Sequence, residues 1–291
     1  MLYSAKEHIN TAKEQQPETT IPFSVLISVY KKEKAEYLKQ ALQSVINQTL
    51  KPTEIVIVKD GPLTKELDEC IENFQKQHPK LFKIITFKKN RGLGLALRDG
   101  VKACKYEYIA RMDSDDISKP DRFEKQFNYL QKHPEIALLG TWITEFSKDE
   151  NNPDTVTKLP CTHQDILKFA KKRNPFRHMT MVLKKEAVIE AGNYRDFLWF
   201  EDYDLWVRML QKGYIVANIP EYLVNVRADE KMFARRGGYQ YLKQDYRFQK
   251  FLLNSKFIIC KQFIRNIFYR IIVRIMPNKL RIIFYKKVLR K

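Results

Sequence analysis

The reading of the sequence turns on Tyr106–Asp121, YEYIARMDSDDISKPD. Tyr106, Tyr108, Ile109, Ala110 and Met112 form a β-prone run that delivers the chain into three carboxylates, Asp113, Asp115 and Asp116, with Pro120 closing the turn. Like charges this close repel and raise one another's pKa, so the cluster asks for a cation or a row of donors against it. Hard oxygen ligands at a strand end suit Mg²⁺ or Mn²⁺ shared with the phosphates of a substrate. A solvated acidic turn capping the helix that opens near Pro120 accounts for the same residues equally well, and Asp116 is the member best placed for that cap. A calcium loop is excluded, because Ile117 and Ser118 stand where that loop needs an oxygen ligand and a glycine.

Upstream, Phe23 to Val29 (FSVLISV) is a continuous apolar run, the pattern of a strand buried on both faces of a parallel sheet. Tyr37, Leu38, Ala41, Leu42, Val45 and Ile46 then recur at helical spacing. Glu54 to Val58 (EIVIV) is a second strand ending in Lys59-Asp60-Gly61-Pro62, a helix follows over Lys65 to Gln77, and Lys83 to Phe87 is a third strand. This is a doubly wound start, and such sheets bind ligands beyond the carboxyl ends of their strands. Asn90-Arg91-Gly92-Leu93-Gly94 opens the next helix; its glycines suit either a tight turn or the approach of a phosphate to the helix N-terminus. Leu97 takes the place of a third glycine, so the dinucleotide fingerprint is absent. Tyr30, Asp60, Arg91 and the acidic cluster therefore converge at four strand ends on one crevice.

Downstream, the helix Arg122 to Gln131 leads to Ile136 to Leu139, and then to short, separate strand candidates at Trp142 to Phe146, Thr155 to Leu159 and Thr180 to Leu183. These predict an antiparallel second half. His178 enters from the loop Asn174-Pro175-Phe176-Arg177, as a structural histidine or as a contact to phosphate or metal. Trp199-Phe200-Glu201-Asp202-Tyr203-Asp204-Leu205-Trp206 reads both as an acidic helix start and, through its aromatic flanks, as a partly buried carboxylate suited to general-base work. Tyr214 to Ile219 and Tyr222 to Val226 complete the strands.

Taken in order, SVLISVY, VKDG, NRGLG, DSDD and FEDYDLW resemble glycosyltransferase family 2, inverting enzymes of the GT-A fold, over about Pro22 to Gly238. Arg227 and Arg235-Arg236-Gly237-Gly238 resemble bacterial members that build exopolysaccharide, capsule or lipopolysaccharide. The resemblance implies an α/β fold with a nucleotide-sugar-binding half over 21–140 and an acceptor half over 141–238. It implies a nucleotide-sugar donor, a UDP-sugar, and a saccharide or lipid-linked acceptor. Tyr30, Asp60, Arg91, Asp113 and Ser114 would bind the donor, and Asp115 with His178 would meet Mn²⁺ or Mg²⁺. Asp202 would be the base, with Glu201, Asp204 and Trp199 orienting it or the acceptor.

Within its 291 residues the chain carries 53 Lys+Arg against 34 Asp+Glu, a net charge of +19 that asks for a polyanionic neighbour. Much of this lies in a basic amphipathic tail, 239–291. There Phe257, Cys260, Ile264, Ile267, Phe268, Ile271 and Ile275 share one helical stripe flanked by Lys261, Arg265, Arg270 and Arg274. Such a stripe either enters an anionic membrane surface, with Arg265, Arg270, Arg274, Ile267, Phe268 and Ile271 in contact, or packs on the catalytic domain. No apolar run reaches the roughly 20 residues of a spanning helix. Residues 1–20 read as a flexible lead-in without a signal peptide, and Cys70, Cys104, Cys161 and Cys260 lie too far apart for a metal site and read as reduced thiols. The expected place is the cytoplasm, peripheral to the inner face of the cell membrane. A nucleic-acid-binding protein finds no zinc, RNP or helix-turn-helix pattern here, and a nucleotidyltransferase would need a glycine-rich loop where SVYKKEK has none.

Overall fold

The computed structural model describes residues 21–228, 237–277 and 280–281. The first half alternates β1 (Phe23–Val29), α1 (Ala35–Ile46), β2 (Glu54–Lys59), α2 (Lys65–Gln77), β3 (Phe82–Thr86), α3 (Leu93–Ala103) and β4 (Tyr108–Met112). These strands pair in parallel in the order β3-β2-β1-β4. The chain winds outward from β1 to β3 and then returns to β1's other side, so the crevice lies beyond the carboxyl ends of β1 and β4.

The second half runs β5 (Ile117–Ser118), α4 (Arg122–Lys132), β6 (Ile136–Phe146), β7 (Thr155–Thr157), α5 (His163–Ala170), β8 (Val182–Lys184), α6 (Lys185–Glu190), α7 (Glu201–Gln211) and β9 (Ile215–Arg227). β8 joins β4 in antiparallel sense and continues the same sheet through β6 and β9. Two expectations are corrected. Ile136–Phe146 is one strand rather than two, because Gly140 lets it approach Asn218: a Cβ at that position would fall 2.2 Å from Asn218 Oδ1. The second half is also mixed rather than antiparallel, since β6 and β9 run parallel with shifts of register around Thr141 to Ile143.

Two apolar layers cover the sheet. Val25, Ile27, Leu38, Leu42, Phe123 and Phe127 fill the face under α1, α2 and α4. Leu26, Val56, Val58, Leu97, Leu205 and Trp206 fill the other, under α3 and α7. That second layer also contains Phe248 and Leu252 of α8 (Tyr239–Asn254) and Phe257 beyond it. Phe248 stacks on Phe200 at 4.8 Å, so the segment after 238 is built into the catalytic core. α9 (Cys260–Ile275) packs against α8. Among the described residues no helix is long and apolar enough to cross a membrane. Residues 1–20, Arg235, Arg236 and the last basic residues lie outside the described residues.

Candidate active site

The acidic strand end is a real cluster: one ligand atom from each of Asp113, Asp115 and Asp116 lies within 4.8 Å of the others. Burial, then the charges of Asp113 and Glu33, push the Asp115 carboxyl up to about 7. Asp116 is fully buried and raised by that burial and then by the charges of Asp115 and Asp113, and its Oδ1 accepts the Arg227 amide at 2.8 Å. It therefore ties the acidic loop to the end of β9 and does not cap the Pro120 turn. Arg227 also donates from Nε to the Asp115 carbonyl at 3.2 Å and is sandwiched between Tyr37 and Phe146. Three carboxylates, one half-exposed and held well above its ordinary range, fit a hard divalent cation.

Two partners of the cluster escaped the sequence reading. Glu33 accepts a 2.6 Å hydrogen bond from the Ser114 hydroxyl. Its only signal was a lone acid in the turn KKEK. Arg111 is buried inside β4, donates to Asp113, and leaves Nε and Nη1 without a hydrogen-bond partner among the described residues. A charged residue in the middle of YIARM was the signal there, since a buried guanidinium asks for a counter-charge or acceptors against it.

Tyr30 is exposed at the crevice. Asp60 braces the 90–92 turn. Its Oδ1 takes the Arg91 amide at 2.7 Å, and its Oδ2 takes the Gly92 amide at 3.0 Å and Asn90 Nδ2 at 2.9 Å. This carboxylate supplies the negative charge that complements the start of α3, in place of a substrate phosphate. The two glycines of NRGLG have separate duties. Gly92 sits at φ +89°, which favours glycine, while a Cβ on Gly94 would stand 2.3 Å from the Arg195 carbonyl. The Arg91 guanidinium pairs with Asp99 at 2.9 Å and lies over Phe87.

Glu201 and Asp202 open α7. Asn174 Nδ2 donates to Asp202 Oδ2 at 2.7 Å, and the Tyr203 amide to Oδ1 at 2.6 Å. Burial raises both carboxyls, Glu201 up to about 8, and Asp113 contributes to each shift, which puts this pair and the acidic cluster in one electrostatic neighbourhood. Asp204 is brought elsewhere: it is fully buried and holds Arg208 at 2.7 Å, which in turn braces the Ala191 and Asn193 carbonyls. It supports α7 from within the core and does not face an acceptor. His178 is likewise interior. It lies 2.9 Å from the Tyr194 hydroxyl, and desolvation with the nearby Arg111 keeps it neutral, outside the carboxylate cluster.

Trp199 holds a left-handed backbone, φ +66°, unusual for a bulky residue, and stacks on Tyr241 at 4.7 Å and 11°. It borders a cavity of about 780 Å³ that Asp202 and His178 also line and that reaches α9. On α9 the expected membrane contacts divide. Arg270 and Arg274 turn inward, their Nε atoms 2.9 and 2.7 Å from the two oxygens of buried Asp245, so a carboxylate rather than lipid engages them. Phe268 and Ile271 are exposed with Ile264 and Ile275, whereas Ile267 and Arg265 are half-buried.

Residues 24–191 match the family model described as Glycosyl transferase family 2, and residues 108–285 match Glycosyl transferase family group 2. The chain is 42% identical over 268 residues to the amylovoran biosynthesis glycosyltransferase AmsE of Erwinia amylovora, covering 91% of this chain and 98% of that one. It is 35% identical over 272 residues to the UDP-Gal:alpha-D-GlcNAc-diphosphoundecaprenol beta-1,3-galactosyltransferase of Escherichia coli, covering 94% and 98%. Among solved structures, the mannosyltransferase PcManGT of Pyrobaculum calidifontis, in complex with GDP-Man and Mn2+, matches with a TM-score of 0.62 at 14% identity, over 90% of this chain and 72% of that one. TarS of S. aureus in complex with UDP-GlcNAc matches with a TM-score of 0.61 at 16% identity, over 80% and 67%. These structural likenesses establish the GT-A fold, and the family match over most of the sheet, joined by relatives aligned almost end to end, establishes that the chain belongs to glycosyl transferase family 2.

Proposed function

We propose that this transferase is inverting and metal-dependent, and that it moves a hexose or N-acetylhexosamine from a UDP-sugar to a saccharide or lipid-linked acceptor during bacterial surface-polysaccharide synthesis. The observation that carries the reading is a pair of acidic groups: the three-carboxylate cluster at the end of β4, and the buried Asp202 that Asn174 holds at the start of α7. One group suits a cation and a diphosphate, the other a hydroxyl proton. The names of the relatives, with their diphospholipid and UDP-sugar substrates, point the same way.

Asp115 and Asp113 would hold Mn²⁺ or Mg²⁺, which when bound would neutralise the departing diphosphate. Arg111 would fix Asp113 for that task, and Glu33 would hold Ser114 and the loop. Tyr30, Asp60 and Arg91 would frame the nucleotide side, with Asp60 acting through the 90–92 turn. Asp202 would accept the proton of the acceptor hydroxyl as that oxygen bonds to the anomeric carbon and the bond to diphosphate breaks. Attack from the face opposite the leaving group inverts the centre. Asn174 would aim Asp202, and burial keeps its pKa above an ordinary aspartate's, nearer a working base. Trp199 would offer its ring face to the acceptor sugar. The exposed stripe Ile264, Phe268, Ile271 and Ile275, with Lys261 beside it, would rest on an anionic membrane and keep the enzyme at the inner face.

The test is turnover of a panel of UDP- and GDP-sugars with Mn²⁺, Mg²⁺ or EDTA, for the native chain and Asp115→Asn. Metal-dependent release of UDP that the substitution abolishes is expected; no turnover of any donor, or full activity in EDTA, sinks the reading.

A further inference from the structure

The pairing of β5 with β9 brings an arginine to the acidic loop. Ile117 lies opposite Asn225 and Ser118 opposite Val224, so the same antiparallel register, carried two residues further, sets Asp115 opposite Arg227. The hydrogen bonds follow that register. The Arg227 amide donates to Asp116 Oδ1 at 2.8 Å, and its Nε donates to the main-chain carbonyl of Asp115 at 3.2 Å. Two consecutive residues of the acidic loop are thereby held by the last residue of β9.

The guanidinium is itself held by two rings and an amide. Phe146, its partner in the parallel register of β6 and β9, has its ring centre 4.7 Å away, and Tyr37 of α1 has its ring centre 3.9 Å away. Gln40, one turn after Tyr37 on the same helix, accepts from Nη2 at 2.6 Å. A lysine has neither the planar group that two rings can clamp nor the separate donors that reach a carbonyl and an amide at once. What the site asks for is a fork in a fixed place, not a charge alone.

Where the Nε bond falls decides what the arginine can do. A cation paired with the Asp115 carboxylate would compete with a divalent ion for its oxygens. Bonded to the carbonyl, Arg227 instead fixes the backbone from which that carboxylate projects. Ligating carboxylates depend on such support from behind, and losing it weakens metal binding by roughly 10- to 100-fold. The support here crosses the sheet: Asp113 and Asp115 follow β4 of the first half, while Arg227 ends the last strand of the second.

We propose that Arg227 is a positioning residue of the candidate cation site, holding the Asp115-Asp116 backbone from the end of β9 so that the Asp115 carboxylate can meet a divalent ion. The role rests on the metal-dependent reading of the cluster and adds to it a residue that acts on the ion through Asp115.

The test is Mn²⁺ binding, by titration calorimetry, to the UDP-saturated full chain and to its Arg227→Lys and Gln40→Leu variants. Arg227→Lys keeps the charge and loses the fork, and its Mn²⁺ affinity is expected to fall by roughly tenfold or more. Gln40 is exposed, so Gln40→Leu loosens only the anchor of the guanidinium and is expected to act in the same direction, less strongly. UDP affinity in EDTA should stay at the native value in both, a readout that general damage to the crevice would lower. In turnover, Arg227→Lys should need more Mn²⁺ for half its maximal rate and recover with excess ion. Native Mn²⁺ affinity in either folded variant, or a loss of UDP affinity in EDTA as large as the loss of Mn²⁺ affinity, would overturn the proposal. If that happens while the native chain binds Mn²⁺, the positioning role alone fails; if the UDP-saturated native chain binds no Mn²⁺, the metal-dependent reading fails first and this role with it.

Discussion

The Ser114 hydroxyl and Glu33 Oε2 stand 2.6 Å apart, a hydrogen bond that joins the loop after β1 to the acidic loop after β4. These are the two strand ends that flank the reversal of strand order, where the fold places its ligand crevice. Glu33 also contributes its charge to the raised Asp115 carboxyl. Glu33→Gln keeps an acceptor for Ser114 and removes only the charge. Asp115 should then titrate at lower pH, and Mn²⁺ affinity should fall by roughly tenfold, about 1.4 kcal/mol. Calorimetric titration with Mn²⁺ checks this; an unchanged affinity would put the Glu33 charge outside the ion's reach.

The Glu201-Asp202 pair divides by its partners. Asp202 is aimed by Asn174 and the Tyr203 amide, whereas Glu201 is pushed further up, to about 8, chiefly by burial. Asp202→Asn is expected to lower kcat by about 10²- to 10⁴-fold with donor KM little changed, the signature of a lost general base. Glu201→Gln should lose less, because a carboxyl largely protonated near neutrality is already close to its amide. Steady-state kinetics on both variants decides, and a greater loss at Glu201 reverses the two roles.

Four carboxyls here titrate above their ordinary values: Asp115 at about 7, Glu201 at about 8, and Asp116 and Asp202 raised as well. Between the unfolded values near pH 4 and these folded values, the folded chain binds more protons than the unfolded one. Stability in EDTA should therefore fall as pH rises, from about pH 5 to about pH 8.5. Excess Mn²⁺ should flatten or reverse the slope, since it binds the charged carboxylates. Melting temperatures across that range, with EDTA and with Mn²⁺, measure it. A metal-free chain that gains stability over the same interval contradicts the raised pKa values.

The parallel half was legible because it is written in local patterns. FSVLISV, EIVIV and YIARM are buried on both faces, and the strand-end residues Asp113 and Asp115 follow from where the last of these stops. What the sequence hides is pairing at long range. Glu33 meets Ser114 across 81 positions and Arg227 meets Asp116 across 111, and no periodicity within either segment announces the other. The division of Asp202 from Asp204 was hidden for a related reason. Two residues on one helix turn point in different directions, and only the position of α7 against the Ala191 and Asn193 carbonyls and Asn174 tells which faces the core. The same holds for α9: its stripe was visible, but Asp245 on another helix decides that Arg270 and Arg274 face inward.

The outward stripe of α9 makes a separate claim. Ile264, Phe268, Ile271 and Ile275 are exposed together, and Lys261 lies beside them. Phe268→Glu with Ile271→Glu should leave the fold intact, because neither side chain is buried, and should abolish co-sedimentation with vesicles containing anionic lipid. Equal sedimentation of the native chain and this variant removes the stripe from the membrane contact.

Asp245 decides whether α8 and α9 are an appendage or part of the enzyme. Its carboxylate is buried and is shared by Arg270 and Arg274 of the next helix. Asp245→Asn would leave Arg270 and Arg274 against a neutral amide, a loss of about 3–5 kcal/mol when one partner of a buried ion pair is removed. Phe248 and Leu252 of the same helix lie in the layer that holds Trp206 and the start of α7, so the strain should reach Asp202 through shared packing. Urea denaturation of Asp245→Asn is therefore expected to show one cooperative transition at lower midpoint, with transferase activity lost along the same curve. An early separate transition, with activity surviving it, would mean that α8 and α9 unfold by themselves and that the catalytic domain stands without them.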